Sequence, residues 1–340
     1  MTEPGGQLRA DLVLEGGGVK GIGLVGALSV LEEAGYRFER VAGTSAGSIV
    51  GSLVAAGMTS AEMYDVMTAL DYRRFRDATL LTRIPVVGQV LSLFIHQGVY
   101  EGGYVESFVA DRLREKGVTT WGDLRREDPD SSLPSDHRYK LVVHVSDVTE
   151  SALLRLPWVY ESRFGIAPDT ESVAGAVRAS SSIPFFFRPT KLKRSGGETS
   201  WLVDGGMLSN FPIDVFDRTD GEPSRWPTIG IKLSAERSPG TGGRKVTGLI
   251  TLGKALVGTL TSWYDRMHIN DPDVIKRTIF VDTSGVRATD FGITKRQQDQ
   301  LYENGRVAAT TWLARQKAAA EKSAAEKAAA EKAAAEHVDP

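Results

Sequence analysis

Ser45 lies in Gly43-Thr44-Ser45-Ala46-Gly47, a G-x-S-x-G arrangement whose small neighbours permit the strained strand-to-helix bend that exposes a serine hydroxyl as a nucleophile. Upstream, the apolar strand Leu12-Val13-Leu14 runs into Glu15-Gly16-Gly17-Gly18-Val19-Lys20-Gly21. Glycines at 16 to 18 let backbone N–H groups approach a reacting atom without Cβ obstruction, and the helix that follows adds its positive dipole end. One turn is built for an anion and the next for a nucleophile, which is the pairing a hydrolase needs. A proton acceptor is available in Trp201-Leu202-Val203-Asp204-Gly205-Gly206. There an apolar strand ends in an aspartate and two glycines, so the carboxylate emerges at a sheet edge where strand ends converge. Such a carboxylate can take the serine proton directly, although Asp-Gly-Gly in isolation also reads as a plain turn.

Other chemistries fit these residues less well. Gly16, Gly18 and Gly21 match the dinucleotide fingerprint, which requires an acidic residue about 20 positions on, at the end of the next strand. That strand, Phe38 to Ala42, ends instead in the Ser45 turn. A P-loop is disfavoured because no Gly-Lys-Ser/Thr follows the glycines. A Ser-Asp-His order requires a histidine beyond both Ser45 and Asp204, and of His96, His137, His144, His268 and His337 only the last two qualify. His268 sits near the end of an apolar-periodic helix and His337 in a polar tail, so a triad is poorly supported.

Four blocks together resemble the patatin-like phospholipase family: Gly16 to Gly21, Gly43 to Gly47, Ala179-Ser180-Ser181-Ser182-Ile183-Pro184-Phe185-Phe186-Phe187-Arg188-Pro189, and Asp204-Gly205-Gly206. The resemblance covers roughly residues 10 to 285. It implies Ser45 as nucleophile, Asp204 as base in a Ser-Asp dyad, and the amides of Gly16, Gly17 and Gly18 as oxyanion hole, with Gly21, Gly43, Gly47, Gly205 and Gly206 as motif glycines and no metal or cofactor. Lys20 stands where many relatives have arginine. It keeps the charge, loses a bidentate fork, and reads as an exposed lysine at a helix N-terminus rather than a catalytic group.

Forty-one basic residues balance 43 acidic ones over 340 positions, which gives no bulk case for nucleic-acid binding. The absence of cysteine excludes disulfides and thiolate metal sites but leaves the compartment open. The N-terminal residues lack the charged and apolar regions of a signal peptide, and no stretch approaches the roughly 18 apolar residues of a membrane helix. The expectation is a cytoplasmic protein, peripheral at membranes, with export by a dedicated secretion machine left open.

The chain alternates strand and helix, as a sheet covered on both faces requires. Helices are expected at Ile22 to Ala34, Ala46 to Ala56, from the Thr59/Glu62 capping box to about Leu70, and at Tyr104 to Lys116, Glu171 to Ala179 and Val246 to Ile269. Later strands are expected at Tyr139 to Ser146, Ala152 to Pro157, Trp201 to Val203, Thr228 to Leu233 and Thr278 to Val281. The fold class that follows is a three-layer α/β/α domain, patatin-like by the resemblance, around a central mostly parallel sheet and spanning residues 8–316. Thr294 with Gln297 opens a last helix running through Trp312 into Ala/Glu/Lys repeats up to Glu336. Residues 317–340 have strong helix formers and i,i+4 Glu-Lys pairs but no apolar stripe, so they form an exposed helix or frayed tail, open to a protein partner. Thr79 to Gln97 reads either as a lid over an acyl groove or as a buried packing loop, and Phe185 to Phe187 either line the acyl channel or fill the core. Two function classes follow. The first is an acyl-ester hydrolase acting on phospholipid or lysophospholipid with transient membrane contact. The second is a gated or regulatory lipid-binding protein; a general carboxylesterase is a variant of the first.

Overall fold

The structure is a computed structural model that describes residues 8–75, 98–127, 133–222, 224–234 and 271–336. Strand β1 (Leu8–Leu14), buried over its last five residues, leads through a single 3-10 turn at Gly18–Gly21 into α1 (Ile22–Glu33). The chain returns as β2 (Tyr36–Thr44), parallel to β1, and α2 (Ala46–Ala55) starts directly from its end. Helix α3 (Ser60–Ala69) opens on the Thr59/Glu62 capping box that the sequence signals. There follow β3 (Gly98–Tyr100), α4 (Gly103–Arg114), β4 (Leu141–Asp147), β5 (Ala152–Leu156), α5 (Val173–Ser180), β6 (Phe185–Phe187), β7 (Thr190–Lys193), β8 (Thr199–Asp204), β9 (Thr228–Lys232), α6 (Pro272–Lys276), β10 (Thr278–Phe280) and α7 (Lys295–Glu336).

The main sheet has the order β10-β9-β1-β2-β4-β8-β7, with β5 also paired to β4. Strands β10, β9, β1, β2 and β4 are parallel neighbours, while β5 and β8 meet β4 antiparallel and β7 meets β8 antiparallel. This is the mostly parallel α/β arrangement expected, with an antiparallel extension on one side. Alternation along the strands divides the core. Leu12 and Leu14 face α1, α2, α3, α5 and α7, whereas Val13, Ala42 and Val142 face a layer built from Trp158, the 211–216 segment and α6. Helix α7 is capped by Thr294 and Gln297 as anticipated. It lies so close to α1 that a Cβ on Gly26 would overlap the Tyr302 carbonyl, and one on Gly305 the Gly23 carbonyl. Leu301, Ala309 and Trp312 are its buried anchors, and from Lys317 to Ala329 every residue is exposed.

Three short strands carry no clear sequence signal. Strands β3 and β6 form a separate parallel pair and β7 closes the sheet edge. The Thr79 to Gln97 segment, the Val246 to Ile269 helix, and His96, His268 and His337 lie outside the described residues. Among the described residues no helix is long and apolar enough to cross a membrane.

Candidate active site

Strand pairing brings the serine and the aspartate together across 159 residues. Thr44 is in register with His144 and Asp204 with Val145, so Ser45, one step beyond β2, meets the end of β8 over β4. Ser45 Oγ donates to Asp204 Oδ2 at 2.7 Å. Ser45 itself has φ 51° and ψ −123°, a conformation costing a non-glycine residue on the order of 1–3 kcal/mol. The surroundings hold it there. Its N–H donates to Ser180 Oγ at 2.9 Å, Ser180 Oγ donates onward to the His144 carbonyl at 2.7 Å, and Ser48 Oγ donates to the Ser45 carbonyl at 2.6 Å. The tightness of the turn explains its glycines: a Cβ on Gly43 would overlap the Gly47 carbonyl, and one on Gly47 the Leu14 carbonyl.

The glycine loop lies against this turn, with a Cβ built on Gly16 standing 3.1 Å from Ser45 Cβ. The Gly16 amide differs from expectation, since it already donates to the Asn210 carbonyl at 3.1 Å. Asn210 Nδ2 donates back to the Gly16 carbonyl at 3.0 Å, so Gly16 is clamped from both sides and cannot offer its N–H to a ligand. Among the described residues the amides of Gly17 and Gly18 have no acceptor, and these two are the donors that remain. The Asn210 side chain wedges between Gly16 and Gly206, where a Cβ on either glycine would collide with Oδ1. Gly205 is needed because a Cβ there would overlap the His144 carbonyl; a Cβ on Gly21 would meet only ordinary contacts from 3.4 Å. Lys20 is not the exposed lysine expected. Its Nζ donates to the Leu233 carbonyl and Thr283 Oγ1, both at 3.2 Å, and burial lowers its pKa. Next to it, buried Glu15 accepts from Lys232 Nζ and from the Leu233 amide, which fixes the loop's other flank.

Burial pushes the Asp204 carboxyl up to about 6, against the opposing hydrogen bonds from Ser45 and from the Gly206 amide at 2.8 Å to Oδ1. It is therefore ionised at neutral pH yet a far better proton acceptor than an ordinary aspartate. Among the described residues His144 is the histidine near the turn, and its position on β4 puts its ring on the face of Val142, with both ring nitrogens buried. Burial, aided by the Arg155 charge and only weakly opposed by the Gly43 backbone, lowers its pKa to about 3. It is neutral, and the proton acceptor of the Ser45 hydroxyl is Asp204 rather than this ring. Among the described residues no three His, Cys, Asp or Glu side chains converge on a metal position.

From Ser45 and Gly18 an apolar cavity of about 40 Å³ extends between Met67, Leu70, Val105 and Phe291. The three phenylalanines of β6 divide their roles. Phe187 is buried and lines the cavity, Phe186 stacks on Phe291 at 4.9 Å, and Phe185, with φ 65°, is 43% exposed. Ser181 Oγ, also in the lining, is buried with no hydrogen-bond partner. The roles of Ser180 and Asn210 escape sequence reasoning. Ser180 lies in a run of three serines that spacing alone does not distinguish, and Asn210 follows the Asp-Gly-Gly turn in a loop of no regular period.

A family model described as patatin-like phospholipase matches residues 12–217. The chain is 38% identical over 296 residues to the Bacillus subtilis protein YqhO, itself uncharacterized, covering 87% of this chain and 95% of that protein. It is 27% identical to an uncharacterized NTE family protein of Mycobacterium tuberculosis over 90% of this chain, but spans only 46% of that longer protein. Its fold is similar to that of VipD from Legionella pneumophila, with a TM-score of 0.51 and 18% identity over 92% of this chain and 69% of that one.

Proposed function

This chain belongs to the patatin-like phospholipase family, and from that premise we propose that it is a serine acyl-ester hydrolase releasing fatty acids from glycerophospholipids or lysophospholipids. The observation that carries the reading is the 2.7 Å hydrogen bond from Ser45 Oγ to Asp204 Oδ2, on a strained turn beside two glycine amides that have no acceptor among the described residues. As Ser45 Oγ attacks the ester carbonyl carbon, its proton passes to Asp204 Oδ2, and the carbonyl oxygen takes up negative charge facing the Gly17 and Gly18 amides. Collapse of this intermediate breaks the bond to the glycerol oxygen, which leaves with the proton from Asp204. Water then attacks the acyl-Ser45 ester, again losing its proton to Asp204, and that proton returns to Ser45 Oγ as the acyl–oxygen bond breaks and the fatty acid departs. The apolar lining beside Ser45 suits an acyl chain, for which the cavity must widen, and a lipid drawn from a bilayer requires transient contact with its surface.

The test is fatty-acid release from phosphatidylcholine and lysophosphatidylcholine vesicles, in parallel with a soluble short-chain nitrophenyl ester. Release of fatty acid by the wild type, abolished in Ser45→Ala, supports the reading. Saturable vesicle binding with no turnover of lipid or ester supports the regulatory lipid-binding alternative, and turnover of the soluble ester alone a general carboxylesterase.

A further inference from the structure

The Ser45 cavity is too small, as it stands, for a long acyl chain. Its volume of about 40 Å³ admits roughly three waters, against roughly 300–1,000 Å³ for pockets that enclose a larger organic ligand. A long chain therefore enters only if a lining side chain gives way, and the fold singles one out. Ile49, Met67, Val105 and Phe187 stand on α2, α3, α4 and β6. Phe291 comes instead from residues 281–294, the connection between β10 and α7, which holds neither helix nor strand.

The backbone beneath Phe291 is pinned, so widening falls to its ring rather than to the loop. The Ala288 carbonyl accepts from the Val19 N–H at 3.1 Å and presses on Gly18, where a Cβ would stand 2.0 Å from that oxygen. The Asp290 N–H donates to the Arg287 carbonyl at 3.1 Å, and Asp290 Oδ2 accepts from the Arg287 N–H at 2.9 Å. The Phe291 ring is stacked on Phe186, with centroids 4.9 Å apart and planes 13° from parallel. Phe186 lies outside the cavity lining and is held in turn by Tyr100 at 4.8 Å and by Phe187 at 4.9 Å. An aromatic pair of this kind is a restraint of about two- to tenfold in a population ratio. It closes the cavity to a chain that gains little by entering, and yields to one that buries many methylenes. Building on the hydrolase reading, we infer that Phe291 is a specificity-determining residue for acyl-chain length: stacked on Phe186 it limits the cavity to a short acyl group, and a long chain enters as the ring leaves that stack.

The test is the ratio of kcat/KM for nitrophenyl decanoate to that for nitrophenyl acetate, measured on the full chain. Both esters report on the same folded fraction, so the ratio is unaffected if a variant at a buried phenylalanine is partly unfolded. Phe291→Ala should raise the ratio about tenfold, and Phe291→Trp should lower it. Phe186→Leu leaves every lining side chain in place but removes the stacking partner, and it should raise the ratio about threefold. A ratio unchanged in Phe291→Ala or in Phe186→Leu overturns the assignment, as does a change that affects both esters equally. A wild type that turns over neither ester fails the hydrolase reading and this inference with it. An unchanged ratio beside normal turnover that is lost in Ser45→Ala fails this inference alone.

Discussion

Asp204→Asn separates the catalytic from the structural role of this carboxylate, because the two predict opposite effects on stability. Burial holds the folded-state pKa at about 6 instead of 3.8, so the ionised form is disfavoured by about 3 kcal/mol at neutral pH. Between about pH 4 and 6 the folded chain keeps this proton while the unfolded chain loses it. The unfolding free energy therefore falls as pH rises through that window and levels off above it. Asparagine has nearly the same shape, carries no charge, and retains an oxygen for the Gly206 amide; its new N–H groups offset part of the gain. At pH 7 the variant should be more stable than wild type by about 1–3 kcal/mol, a rise in Tm of a few degrees for a chain of this size. It should also lose the acidic-side slope in stability. Its ester hydrolysis should fall on the order of 100- to 10,000-fold with loss of the base, and the wild-type rate should decline below about pH 6 as Asp204 protonates. Thermal unfolding from pH 4 to 8, paired with turnover of a nitrophenyl ester, reads both quantities. A variant that is active, or inactive and clearly less stable than wild type, would refute the reasoning.

Gly17→Ala puts a Cβ into the Leu233 side chain and displaces a proposed oxyanion donor, so kcat should fall on the order of 100-fold with a smaller change in KM; steady-state kinetics check this, and an effect on KM alone counts against it. Asn210→Ala frees the Gly16 carbonyl that Nδ2 holds at 3.0 Å, and kcat should drop on the order of tenfold while the fluorescence-monitored unfolding midpoint shifts little. His268→Ala and His144→Leu should both keep most of the activity, since His144 is buried on the other face of the sheet and the proposed base is Asp204. A loss of several orders of magnitude in a folded variant of either would revive a triad.

The parallel half of the sheet is legible because β1, α1, β2 and α2 combine apolar runs with glycine stops, and α3 opens on a capping box, all local signals. Ser45 and Asp204 stand out for the same reason, each at the end of an apolar strand beside glycines. The way they meet is not local. Sequence reasoning puts Asp204 at an edge of converging strand ends, whereas β8 is antiparallel to β4, and it is the register of Asp204 with Val145 that delivers the carboxylate. Engagement of the Gly16 amide by the Asn210 carbonyl, and of the Gly16 carbonyl by Asn210 Nδ2, is likewise a contact across 194 residues, invisible to any window along the chain. Lys20 shows the reverse error: a charged side chain at a helix start looks solvated until Leu233 and Thr283 close over it.

The central claim is that Ser45 carries the acyl group between lipid and water, and rapid quench followed by peptide mass spectrometry tests it most directly. Wild-type protein mixed with lysophosphatidylcholine and acid-quenched within one turnover should carry a single acyl adduct on the peptide containing Ser45, with fatty acid appearing as that adduct decays. The adduct and the fatty acid should both be absent in Ser45→Ala. Fatty-acid release that persists in a folded Ser45→Ala protein, or an acyl adduct on any other residue, would contradict the account.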